Sequence, residues 1–186
     1  MKPLHFLAAT GVAGALVLTG TTITQAATVP ESGPLASAVI QPESSRMDRS
    51  FLMQAHQGNR FEISAGLLAM HKARCSTVRR LGAEFARDHR KMDAKLRLVS
   101  TRERVALPGT MTRAQQVLLR QLAKRSGTAF DRSWLRAQVK AHEQVLALIH
   151  QQVRHGYSHE VKQLARGAAP IVLHHLNMAR TALRTC

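Results

Sequence analysis

Apolar side chains recur every three to four residues through four long stretches of the chain. That spacing is the mark of amphipathic helices with one buried face. Ser45, with Asp48 three residues on, reads as a capping box. Phe51, Ala55, Gly58, Glu62, Ala65 and Ala69 then share one face, so a helix is expected over about 46–73. A second is expected over 76–101, with Val78, Leu81, Phe85, Asp88/His89, Met92, Leu96 and Val99 inward. Pro108-Gly109 interrupts the pattern. Thr112 and Gln115 cap a short helix reaching about Lys124, and Gly127 ends it. Thr128 with Asp131 reads as another capping box, opening a helix over 129–155 whose inward stripe holds Trp134, Gln138, His142, Val145 and Ile149. The last helix runs from Ser158 to about Arg184, with Val161, Leu164, Ala168, Val172, His175 and Ala182 facing in. Pro170 lies inside it and predicts a kink near Gly167, because proline removes a backbone donor and clashes with the preceding turn. No stretch alternates with period two, and no segment repeats. The reading is an all-α four-helix bundle over 46–186, with a short extra helix between the second and third long helices.

The first residues follow a different pattern. Lys2 precedes an apolar run from Phe6 to Leu18, and Thr24-Gln25-Ala26 supplies small residues at a cleavage site. Residues 1–26 therefore read as a cleavable secretory signal, since the run is short for a bilayer span. The alternative is an uncleaved signal that anchors the protein to the membrane. Residues 27–45 are rich in Pro and Ser and read as a flexible tether. The expected location is the periplasm or beyond, where disulfides are permitted.

Composition sharpens the partners. The 186 residues carry 27 Lys+Arg against 11 Asp+Glu, a formal charge of +16. Aromatic residues make up 4%, too few for a base-stacking platform, so no nucleic acid partner is expected. Two cysteines exclude a disulfide-built scaffold and a cysteine-rich zinc or iron–sulfur site. Eleven Lys/Arg and four Asp/Glu fall between Lys72 and Arg104. This basic face is either simply solvated or a surface for an anionic envelope component. The pattern does not specify an oligomeric state.

Four polar residues interrupt the apolar stripes near mid-length. They are Glu62, His89 (with Asp88 beside it), His142 and His175, one on each long helix. Groups at mid-height meet whichever way each helix runs, so one buried polar layer is expected. It is either a hydrogen-bonded structural layer or a metal site with Glu62, His89, His142 and His175 as ligands. Asp88, Gln138 and Asp131 are the expected supporting residues. Carboxylate-bridged di-iron bundles use Glu-x-x-His, but Ala65, Arg87, Leu146 and Gln163 stand three residues after Glu62, Glu84, Glu143 and Glu160. A single transition-metal ion (Fe, Zn or Cu) suits an imidazole-rich set better. No catalytic set is read, and the runner-up is a non-enzymatic envelope-interaction module around a purely structural layer. His56, His71, His150, His155, His159 and His174 read as surface or helix-end residues.

Several segments carry a family likeness. Asn59-Arg60-Phe61-Glu62-Ile63, Phe85-Ala86-Arg87-Asp88-His89, Phe130-Asp131, Gln138 with His142, and Pro170 followed by His175-Leu176 resemble the bacterial domain-of-unknown-function family number 4142. The likeness covers about residues 48–182. It implies export and a ferritin-like four-helix bundle, and it implies no activity. In such a bundle the connection between the second and third long helices crosses the full length, and residues 102–127 are long enough for that. Cys75, at the first interhelix turn, and Cys186, the last residue, would then lie at the same end and form a disulfide. A simple up-and-down bundle would place them at opposite ends.

Overall fold

The computed structural model describes residues 45–186, so the expected signal and nearly all of the tether lie outside the described residues. Five helices follow one another: α1 (Arg46–Lys72), α2 (Ser76–Arg102), α3 (Arg113–Ala123), α4 (Gly127–His155) and α5 (His159–Thr185). No strand occurs among the described residues. The caps explain most of the boundaries. Ser45 Oγ accepts from the Asp48 N–H while the Asp48 carboxylate accepts from the Ser45 N–H, which starts α1. Thr112 and Gln115 do the same for α3. These reciprocal bonds satisfy donors that the first helical turn would otherwise leave unpaired. α5 runs unbroken through Pro170.

The start of α4 differs from the sequence reading. The helix begins at Gly127, whose φ of +56° is the left-handed conformation that glycine adopts without a Cβ clash. The expected Thr128–Asp131 box is not what caps it. The Asp131 carboxylate is engaged elsewhere, accepting from the backbone N–H groups of Arg74 and Cys75 at 3.1 and 2.8 Å. Asp131 thus satisfies the entry to α2, far in sequence but adjacent in space.

These end contacts fix the helix directions. At one end the Asp48 carboxylate accepts from the Gln152 amide of α4 and from the backbone N–H groups of Tyr157 and Ser158 before α5. There too Ser158 Oγ bonds Glu103, just past α2. At the other end sit the Asp131 contacts and a disulfide between Cys75 and Cys186, with Cα atoms 6.1 Å apart. So α1 and α2 are antiparallel, α4 and α5 are antiparallel, and the segment carrying α3 travels the full length between them. α1 packs chiefly on α2, and α4 on α5; α1 against α4 and α2 against α5 close the ring. Burial alone would raise the Asp48 pKa, but the bonds from Ser45, Gln152, Ser158 and Tyr157 outweigh it and hold the carboxyl below its ordinary value.

The buried apolar residues form two clusters. The one at the disulfide end holds Phe61, Phe85, Phe130, Trp134 and Leu135. The one at the Asp48 end holds Phe51, Leu52, Leu96, Ile149 and Val172. α1 and α2 approach tightly at Gly66 and Gly82, where a Cβ on either would lie 2.4–2.6 Å from the other's carbonyl oxygen. α1 is buried on a wider face than its single stripe suggested, with Leu52, His56, Asn59 and Phe61 also inside. His56 is therefore not a surface residue. It is 1% exposed, and its Nδ1 lies 2.6 Å from the Asp93 carboxylate.

Candidate metal centre

Between the two apolar clusters lies a polar layer. His89 from α2, His142 from α4 and His175 from α5 are all buried. One ring nitrogen from each lies within 4.8 Å of the other two. Their ring centroids are 5.4–5.6 Å apart. Each helix presents its histidine inward because the apolar positions three and four residues away hold that face against the core.

Each imidazole has one nitrogen tied and one without a partner. His89 Nδ1 lies 2.9 Å from Asn59 Oδ1. His142 Nδ1 lies 2.8 Å from the Gln138 carbonyl oxygen. His175 Nε2 lies 3.3 Å from the Asp88 carboxylate. Facing oxygen acceptors, these nitrogens carry the proton and donate, which leaves the lone pair on the opposite nitrogen. Those opposite atoms, His89 Nε2, His142 Nε2 and His175 Nδ1, are buried and find no partner among the described residues. Asp88 is itself steadied by two bonds from Arg87. Buried polar atoms normally find a partner, so three unpartnered nitrogens on neighbouring rings stand out.

The layer favours neutral imidazoles. Burial drives the His89 pKa well below its ordinary value, with the other two imidazoles adding to the effect. Burial pushes His142 down to about 4. Burial also lowers His175, against the pull of the Asp88 carboxylate. Neutral imidazole is the ligand form of histidine. Beneath the layer Phe85 stacks on His175 with centroids 4.2 Å apart and contacts His142 at 5.1 Å. That packing restricts how the rings can turn.

The other expected residues divide. Glu62 is buried beside the layer, but it is not within the close spacing the three histidines share. Its Oε2 has no partner, and burial raises its pKa to about 8. The Gln138 amide opposes that rise, although its geometry falls short of a hydrogen bond. Asp88 supports His175, and Gln138 supports His142 through its main chain. Asp131 does not support the layer at all; it sits at the disulfide end, as described above. Asn59, which orients His89, was missed. Its position three residues before Glu62, hence on nearly the same helix face, was the available signal. Glu84 and Asp88 also approach His175, but both carboxylates are paired with Arg87.

Three solved structures share the fold. A DUF305 fragment from Deinococcus radiodurans superposes with a TM-score of 0.70 at 14% identity, covering 78% of this chain and 100% of that one. CopM in its Cu(II)-bound form gives 0.64 at 15% identity, covering 74% and 96%. A DUF305 protein from Streptomyces coelicolor gives 0.64 at 14%, covering 75% and 93%. At such identities the likeness shows the fold alone. No curated protein matches the chain in sequence. No helix among the described residues is long and apolar enough to cross a membrane. The model of a domain of unknown function, DUF4142, matches residues 33–182, and the chain belongs to that family.

Proposed function

We propose that this is an exported, ferritin-like bundle that binds one transition-metal ion through His89 Nε2, His142 Nε2 and His175 Nδ1. The observation that carries the reading is the cluster of three buried imidazoles, each with one nitrogen hydrogen-bonded and the other unpartnered. That is how proteins orient imidazole ligands: the tied N–H fixes the tautomer and the ring angle. Glu62, buried and lining the same cavity as His89 and His142, is the fourth ligand in this reading, reached by a side-chain adjustment. Nitrogen-rich sites suit Cu, Zn and Fe, and the Cu(II) bound by the structural neighbour CopM puts copper first among them. The paired antiparallel helices with a full-length crossover support the ferritin-like description, and the leader read in the sequence supports export. The lack of Glu-x-x-His pairs argues against a di-iron oxidase.

Metal titration of the purified protein tests this. One equivalent of Cu(II) or Zn(II) should bind. His142→Ala and His175→Ala should each weaken binding at least 100-fold, and Asn59→Ala should weaken it by about 10–100-fold through loss of ring orientation. Failure to retain any transition metal would leave a structural layer. The basic face read between Lys72 and Arg104 supports a second role in docking to an anionic envelope surface, and that docking should weaken steeply with added salt.

A further inference from the structure

On the Asp48 side of the layer the bundle is hollow. A cavity of about 420 Å³ lies among α1, α2, α4 and α5. Its walls include Phe51, Met92, Leu96, Val145, Ile149 and Val172. The room arises because Ala55, Gly58, Ala141, Gly167 and Ala168, all small, line it from three different helices. Packed interiors hold few voids larger than one water molecule, whereas small-molecule pockets of a few hundred Å³ are typical. The floor is polar: Glu62, His89 and His142 line it, and each carries an unpartnered buried atom. The rim lies between α2 and α5, at Lys95, Leu98 and Arg102 on one side and Glu160, Gln163 and Gly167 on the other. Leu98 is 63% exposed there. Arg102 pairs with Glu160 across the rim at 2.6 Å. Lys95 has no ion pair among the described residues, so the rim is net positive.

We propose that this cavity binds an apolar-tailed organic monocarboxylate, its head at the polar layer and its tail along the apolar walls toward the rim. The proposal rests on the metal reading above for the head group, because an oxygen donor arriving from the cavity meets His89 and His142 of the three-histidine set. The positive rim draws anions in. The apolar walls select against small hydrophilic anions, since each buried methylene favours binding. The helical rise from His89 to the rim residues Lys95 and Leu98 is about 9–14 Å, which suits a tail of medium length.

The experiment compares octanoate with acetate. Each is titrated into Co(II)-loaded protein by visible spectroscopy, and into metal-free protein by calorimetry. Octanoate should bind the Co(II) form at least 100-fold more tightly than acetate and should shift the Co(II) bands. Ala168→Phe fills the cavity from α5, and Ala141→Phe does so from α4. Either should abolish octanoate binding while leaving Co(II) uptake unchanged. Octanoate no tighter than acetate, or undiminished in both filled variants, overturns the proposal. Octanoate that binds without moving the Co(II) bands also overturns it, because the head then sits at the rim by Lys95. If no metal is taken up, the metal reading falls separately. The calorimetric arm then decides the cavity, with binding lost in the filled variants as support and no binding as refutation.

Discussion

The two halves of the bundle are built differently. On the disulfide side, Phe61, Phe85, Phe130 and Trp134 interlock. The Trp134 indole N–H donates to the Ala65 carbonyl at 2.9 Å, and its ring packs on Phe85 with centroids 5.7 Å apart. On the Asp48 side, Phe51 is the one aromatic residue in the apolar cluster, and small residues face a cavity. The polar layer lies at the boundary. The contrast teaches that close packing and open space are separated along the helix axis: one half fixes the histidines from below, and the other leaves room above them. The hollow half keeps its shape through its end, where Asp48 ties α1 to α4 and to the start of α5.

The largest test of this contrast is in the dense half. Trp134→Ala should cost about 4 kcal/mol in urea unfolding, since it deletes a fully buried indole from a close-packed site. Val145→Ala, on the cavity wall, should cost under about 1 kcal/mol, because the atoms it removes already face open space. Equal costs would erase the distinction. Next comes the disulfide. Cys75→Ser with Cys186→Ser should cost about 3 kcal/mol, because the bridge closes a loop with a sequence separation of 111. A smaller change in the midpoint would show that the Asp131 contacts alone hold that end.

The boundary layer gives a smaller, pH-dependent effect. Glu62 has its folded pKa raised from 4.5 to about 8. The folded state therefore holds a proton that the unfolded state has already released. Stability falls as pH rises through that window. His142, lowered from 6.5 to about 4, works in the opposite sense, and its contribution is complete above 6.5. From pH 6.5 to 8 only the Glu62 effect remains. Metal-free protein should lose roughly 1–2 kcal/mol across that range, and Glu62→Gln should flatten the profile. A profile that stays sloped in the variant would place the titrating group elsewhere. Smallest of all, Ala168→Phe should change stability by less than about 1 kcal/mol because the cavity accepts the ring. Ala65→Phe in the dense half should cost more, by overpacking. Similar outcomes at the two sites would mean that the hollow half is not hollow in solution.

Much of this was legible in the sequence. The caps at Ser45 and Thr112 are local, so residue spacing alone reveals them. The histidines at 89, 142 and 175 were legible because each breaks an apolar stripe at mid-height. Other features depend on partners distant in the chain. Asp131 carries a local cap signal, yet it bonds the turn at Arg74 and Cys75, and no spacing rule shows that competition. His56 and Asp93 fell outside the stripes because α1 buries a wider face, packed against both α2 and α4. The close approach of Gly66 and Gly82 shows only when the two helices are laid together. The cavity is less legible still, since it is the sum of small residues contributed by three helices.

The Cys75–Cys186 bridge has a consequence for how the chain survives cutting. It makes a covalent ring of everything from the start of α2 to the last residue, with the crossover segment inside it. Protease cleavage between α2 and α4 would leave two fragments that remain one molecule. The first would carry Glu62 and His89, and the second His142 and His175. The set of four inward groups would stay physically joined until a reductant released it.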